Sequence, residues 1–226
     1  MNEVLWVCFA LLDLIMVLAV FRYFGRIGLY GLIVFNLIVC NIQVLKTIEL
    51  FGVTTTLGNI MYASVFLSTD LLSEHYGREH AKKGVWLGFF MLVLTIIYMQ
   101  LAIHFVPAPS DWVQPHIEAI YGFMPRIALA SLAAYFLSQM HDVWAFHFWK
   151  DKTQGRHLWL RNNASTLVSQ LLDSSIFCFI AFVGVYPWPV FWEILWTTYV
   201  IKMIMGLADT PFIYLAGRLK PKEELA

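Results

Sequence analysis

Along the chain, uninterrupted apolar runs alternate with short stretches that hold charge, glycine or proline. Seven runs, residues 4–21, 27–45, 59–76, 84–106, 126–149, 163–185 and 191–216, have the length of a membrane helix, since about 20 mostly apolar residues cross a bilayer core roughly 30 Å thick. They take up most of the sequence and leave no room for a soluble domain, so residues 1–226 read as a single transmembrane domain. Residues 22–26, 77–83 and 186–190 predict tight turns between antiparallel neighbours. The longer connections are 46–58, 107–125 and 150–162. The first holds Gly52-Val53-Thr54-Thr55-Thr56-Leu57-Gly58, a β-branched run between glycines that predicts a short hairpin or a re-entrant piece. The second, with Pro107, Pro109, Pro115 and Trp112, predicts an interfacial loop. There is no low-complexity tract and no internal repeat.

Basic residues orient this pattern, because Lys and Arg concentrate in cytoplasmic connections. Arg22 and Arg26 follow the first run, and Arg78, Lys82 and Lys83 the third. Lys150, Lys152, Arg156 and Arg161 follow the fifth, and Arg218, Lys220 and Lys222 form the tail. These positions occupy alternate connections and so fall on one face. The other face has Lys46 and the bordering Arg126, while Lys202 lies inside the last run. The asymmetry predicts an outside N-terminus and a cytoplasmic C-terminus. Residues 1–21 have no basic leader and no small-residue cleavage site, and read as a retained helix.

Composition agrees. Apolar residues make up 60% of the chain and charged residues 13%, about half the charge of a typical soluble domain at roughly 25%. A net charge of zero gives no electrostatic reason to expect a nucleic-acid partner. Cys8, Cys40 and Cys178 sit far apart inside apolar runs, which excludes a disulfide framework and a Cys-type zinc centre.

Polar groups inside the runs carry the functional information. An ionisable group at a helix centre costs about 2.5–3.5 kcal/mol on insertion scales and turns toward the bundle interior. In the sixth run Asn163, Thr166, Gln170, Asp173, Ser174 and Phe177 recur at three- and four-residue steps, which places them on one helical face. Asp173 lies roughly 15 Å in from the cytoplasmic end at 1.5 Å per residue. This stripe reads either as a binding surface or as hydrogen-bonding glue between helices. The seventh run carries Lys202 and Asp209 around Gly206, with Pro211 beyond. Pro211 predicts a locally opened helix beside a carboxylate, a transporter device. A Lys202–Asp209 pair or a packing kink is the competing reading. In the fifth run Ala130, Ala134 and Ser138 form a small-residue stripe suited to close helix packing, inside the bundle or in a homodimer. Gln139 and Asp142 continue it as a polar cluster. The third run shows Phe66, Asp70 and Glu74 along a polar-aromatic face, where Asp70 could also cap a helix or pair with Arg78 or Lys82. Asp13 and Glu193 are isolated and receive no site assignment. His104, His116 and His157 read as interfacial or loop residues.

Enzyme signatures are missing. There is no HExxH zinc motif, no nucleophile elbow and no phosphate-binding Gly-Lys loop, so no catalytic or metal-ligating residue is assigned and no cofactor is expected. Inward polar stripes in an apolar bundle read as a passage or a pocket.

Several stretches resemble a known family. They are Ser68-Thr69-Asp70-Leu71-Leu72-Ser73-Glu74-His75-Tyr76-Gly77, Gln139-Met140-His141-Asp142-Val143-Trp144-Ala145-Phe146, and Asn163-Ala164-Ser165-Thr166-Leu167-Val168-Ser169-Gln170-Leu171-Leu172-Asp173-Ser174. With Tyr199-Val200-Ile201-Lys202 and Asp209-Thr210-Pro211-Phe212, in this order and spacing, they resemble the queuosine precursor transporter family over roughly 27–216. The resemblance implies an inner-membrane importer of 7-deazaguanine precursors of the tRNA base queuosine, such as 7-cyano-7-deazaguanine or its aminomethyl relative. It also implies an all-α integral membrane protein, a bundle of six to seven transmembrane helices similar to the substrate-binding subunit of energy-coupling-factor transporters.

The polar reading suits such a substrate. A deazaguanine edge presents N1–H and an exocyclic amine beside a carbonyl. A carboxylate accepts both donors, an amide serves the carbonyl, and a flat ring takes an aromatic clamp. The expected readers of the base edge are Asp173, Gln170 and Asn163. Asp70, Glu74 and Lys202 are expected to line the same cavity, with Asp142, Gln139 and Asp209 as further candidates and Trp144 or Phe66 stacking on the ring. The alternative is a binding subunit that needs a separate ATPase complex.

Overall fold

The computed structural model describes residues 1–152 and 158–219, with side chains throughout except at 139, 142, 143, 145–147, 149–152, 158–166, 206–210 and 213. Its elements are α1 (Asn2–Gln43), β1 (Thr47–Leu50), β2 (Val53–Thr56), α2 (Asn59–Tyr76), α3 (Arg78–Ile103), α4 (Gln114–Tyr121), α5 (Met124–Lys152), α6 (Leu158–Phe182) and α7 (Trp188–Ala216). The chain divides into two compact units, one of residues 1–125 together with the segment from Ile204, the other Arg126–Met203.

A straight helix of 42 residues would be about 63 Å long, yet the two ends of α1 meet. Asn2 Nδ2 donates to the Glu49 carbonyl at 2.9 Å, and Glu3 Oε1 accepts from the Phe51 N–H at 3.3 Å, both on the hairpin that follows α1. The chain doubles back at Gly25, whose φ of 53° and ψ of −136° are closed to a residue with a Cβ. So α1 is two antiparallel segments that coincide with the predicted runs 4–21 and 27–45, and the turn between them is a single residue. The hairpin is the one expected from the threonine run: β1 and β2 pair antiparallel, Thr47 opposite Thr56 and Leu50 opposite Val53.

The second segment of α1 leads through the hairpin into α2, which coincides with the predicted run 59–76. The two approach closely, since an added Cβ at Gly58 would stand 2.5 Å from the Cys40 carbonyl oxygen and 2.9 Å from the Val44 nitrogen. The core of the first unit follows a four-residue step along α1, with Val17, Phe21, Leu29, Ile33 and Leu37 buried. They meet Ile60, Leu67, Leu71 and Leu72 of α2, all fully buried. Large apolar side chains also cover the outside, among them Leu12 and Ile15 of α1 and Trp86, Phe90 and Ile97 of α3. An apolar exterior is costly in water and suits lipid. Between helices in lipid, cohesion comes from packing and hydrogen bonds, since the tails are as apolar as leucine. Three stretches among the described residues, Asn2–Gln43, Arg78–Ile103 and Gln114–Ser138, are long and apolar enough to cross a membrane, and Leu167–Phe182 is a shorter apolar one.

Three details differ from the sequence expectation. First, the turn expected over 77–83 contracts to Gly77, and α3 begins at Arg78. The charged residues there are good helix formers, which hydropathy alone passes over. Second, the expected interfacial loop contains α4. Asp111 Oδ1 accepts from the N–H groups of Val113 (2.7 Å) and Gln114 (3.3 Å), and Pro115 sits in the first turn, where a missing N–H costs nothing. Gln100 Nε2 donates to the Tyr121 carbonyl and Gln114 Nε2 to that of Ile103, holding α4 on the end of α3. Third, α7 passes through Pro211 as a helix, which favours the packing kink of the two readings over a locally opened helix.

Candidate functional site

The second unit brings together the polar face of α6 and the first part of α7. At one end Arg126, opening α5, donates from Nε to the Ile180 carbonyl (2.7 Å) and from its terminal nitrogen to that of Val183 (2.6 Å). It thereby satisfies carbonyls that a helix C-terminus leaves without partners. Farther along, His141 Nδ1 and Ser169 Oγ lie 3.1 Å apart, so α5 and α6 run antiparallel. Ala130, Ala134 and Ser138 are buried within the chain, which gives the small-residue stripe an internal packing role.

α6 also meets α7. Lys202 Nζ donates to Asp173 Oδ2, and the side chains of this ion pair are only 7% and 9% exposed. Lys202 also lies 6.0 Å from the centre of the Phe177 ring. One turn on, the Cys178 thiol and Thr198 are hydrogen-bond partners, and Phe179 packs against Phe191 at 5.1 Å. The pairing explains how two ionisable groups rest at low exposure: each supplies the countercharge the other would lose with its water. Beside the pair, Gln170 Oε1 and Ser174 Oγ are buried with no hydrogen-bond partner among the described residues. Buried polar atoms are nearly always satisfied, so these two oxygens mark a surface whose hydrogen-bonding capacity is unused. Of the predicted stripe, Asp173 and Phe177 thus meet Lys202 from the next helix, while Gln170 and Ser174 contribute buried oxygens without partners among the described residues.

The other expected residues have different settings. Phe66, Asp70 and Glu74 belong to α2 in the first unit. Phe66 is half-buried with its ring edge-on to Tyr62 (5.0 Å, 79°), and Asp70 and Glu74 are exposed one turn apart. Lys82, a partner considered for Asp70, pairs with Glu79 at 2.8 Å. Trp144 is 61% exposed, stacks on Phe148 at 5.5 Å, and lies 5.7 Å from His141. Gln139, Asp142, Asn163 and Asp209 have side chains outside the described residues.

Two polar groupings in the first unit escaped the sequence reading. At the Gly25 end, Tyr30 Oη and His80 Nδ1 lie 2.7 Å apart, Arg26 approaches His80 Nε2 at 3.5 Å, and the guanidinium stands 5.8 Å from the centre of the Tyr76 ring. In the interior, Asn36 Nδ2 donates to Ser64 Oγ at 2.6 Å, close to Asp13. The available signal was a polar residue, Asp13, Asn36 and Ser64, inside each of three neighbouring apolar helical segments.

Residues 56–216 match a family described as "Putative vitamin uptake transporter". The chain is 44% identical over 99% of its length, and 98% of the relative's, to the "Probable queuosine precursor transporter" of Bacillus subtilis (strain 168). It is 31% identical to the "Queuosine precursor transporter" of Escherichia coli (strain K12), covering 69% of each chain. No solved structure matches. The family whose motifs the sequence resembles is thus met over the full chain, and the protein belongs to the queuosine precursor transporter family.

Proposed function

We propose that the protein imports a queuosine precursor, 7-cyano-7-deazaguanine or a related 7-deazaguanine, across the bacterial inner membrane for use in tRNA modification. Full-length identity of 44% to a relative named for this transport carries the reading. In it, six to seven of the helical segments cross the bilayer. The gathering of Arg26 and the start of α3, with Arg78, Lys82 and Lys83, at the Gly25 end of the first unit supports a cytoplasmic assignment for that end. The N-terminus, at the opposite end with the hairpin, then lies outside.

The recognition surface in this reading is the α6 face beside Lys202. Asp173 accepts N1–H and the exocyclic amine of the base, and the Gln170 amide serves its carbonyl. Lys202, which balances Asp173 in the absence of ligand, then turns one of its donors to the ligand carbonyl. Ser174 Oγ, without a partner, supports a polar ligand here because its hydroxyl can donate to a ligand acceptor, and the unpartnered Gln170 Oε1 is left to accept from a further ligand N–H.

The test is uptake in bacteria that can neither make nor import queuosine precursors, with each precursor supplied in trace amounts and queuosine in tRNA quantified. Signal with a precursor, lost in Asp173→Asn and reduced in Gln170→Ala, is the expected result. Unchanged uptake in both variants assigns the stripe to packing. Absence of signal for every precursor, with the protein present in the membrane, overturns the substrate class or calls for an energising partner. Uptake by the purified chain in liposomes separates those two outcomes.

A further inference from the structure

The polar cluster in the interior of the first unit has no part in the uptake reading, and its chemistry points to a ligand of its own. Asp13 lies on the first segment of α1, Asn36 on the second, and Ser64 and Ser68 one turn apart on α2. They are 8%, 1%, 0% and 0% exposed. The Ser64 hydroxyl accepts from Asn36 Nδ2 at 2.6 Å, stands 3.0 Å from the Met61 carbonyl, and is a hydrogen-bond neighbour of the Asp13 carboxylate. Two oxygens of the group, Asp13 Oδ2 and Asn36 Oδ1, have no partner among the described residues, nor has Ser68 Oγ, one turn along α2 from Ser64.

A carboxylate in this position, with no Lys, Arg or His bridged to it among the described residues, needs a positive charge, because an isolated buried ion costs several kcal/mol. A proton on Oδ2 satisfies that oxygen and engages one further acceptor. A bare cation draws on all of them together. The available donors are one carboxylate, one amide carbonyl and two hydroxyls, with no nitrogen or sulfur ligand, and such all-oxygen sets are what hard cations take. A single negative charge matches a monovalent ion, since a divalent one would leave net charge in an apolar interior.

We propose that Asp13, Asn36, Ser64 and Ser68 form a sodium-ion site that ties together both segments of α1 and α2. The ion satisfies the three oxygens without partners and draws three helical segments around one charge. This inference does not depend on the identity of the transported solute.

Binding of radiolabelled sodium to the purified full chain in detergent, in mildly alkaline choline buffer, tests it. Binding is expected to saturate at one ion per chain and to be displaced by unlabelled sodium but not by choline. Asp13→Asn is expected to abolish it. Ser68→Ala, which removes one oxygen and no charge, is expected to weaken it about tenfold or more, and it carries the test if Asp13→Asn fails to fold. Absence of saturable sodium binding in the parent chain, undiminished binding in Ser68→Ala, or undiminished binding in a folded Asp13→Asn overturns the site. A protonated carboxyl infrared band that persists with sodium and vanishes in Asp13→Asn overturns it in favour of a proton.

Discussion

Replacing Lys202 by Met tests whether the Asp173–Lys202 pair is as buried as its geometry implies. The two side chains are 7% and 9% exposed, so the surface-pair range of about 0–1 kcal/mol does not apply. Removing one partner leaves a carboxylate in a low-dielectric interior, which costs about 3–5 kcal/mol. At about 1.4 kcal/mol per factor of ten, the unfolding equilibrium of Lys202→Met shifts by roughly two to more than three powers of ten. The double variant Lys202→Met with Asp173→Leu removes both charges and keeps an apolar fill. It is expected to recover most of that loss, since replacing a whole buried pair is neutral or stabilising by about 1–4 kcal/mol. Tryptophan fluorescence during denaturant unfolding in detergent, run for the parent, both singles and the double, gives the coupling directly. A Lys202→Met loss under about 1 kcal/mol, or a double variant no more stable than the worse single, refutes the reasoning. A stable double variant that no longer supports uptake would separate recognition from folding.

Further outcomes follow from positions where the backbone leaves little choice. Gly25→Ala forces a Cβ into a conformation available only to glycine and is expected to cost about 1–3 kcal/mol, read as a lower midpoint in the same unfolding assay. Gly58→Ala drives a Cβ into the Cys40 and Val44 backbone and is expected to destabilise by about 1–3 kcal/mol. Gly31→Ala, with nothing within 4 Å, stabilises by up to about 1 kcal/mol and serves as its control. Arg126→Ala strips partners from the carbonyls of Ile180 and Val183, an expected loss of about 1–3 kcal/mol for each one left buried. Hydrogen exchange at the end of α6 checks it.

Much of this fold is legible in hydropathy, because the apolar length of a segment answers directly to bilayer thickness. Residues 59–76 make one uninterrupted run and form α2, and Arg22, Gly25 and Arg26 mark the break at 22–26. Where reading fell short, other forces decide. The start of α3 among Arg78, Glu79 and Lys82 is a matter of helix propensity, and the formation of α4 rests on the Asp111 carboxylate accepting from the Val113 and Gln114 N–H groups and on the tolerance of a first turn for Pro115. The stripe on α6 was legible because periodicity assigns residues to faces. Its partner was not, since periodicity does not say which helix a face meets, and Lys202 and Asp173 are far apart in sequence. Asp13 looked isolated for the same reason: Asn36 and Ser64 come beside it only once α1 folds back and α2 packs on it.

The one-residue reversal at Gly25 also bears on how the chain enters a bilayer. Two helical segments joined without a loop have no slack with which one could be threaded while the other waits, so they insert as one unit. Their orientations are locked to each other. Moving positive charge across that bend, for instance by relocating Arg22 and Arg26 to the hairpin end, would act on both segments at once, inverting the pair or leaving it in place, with no half-inverted product.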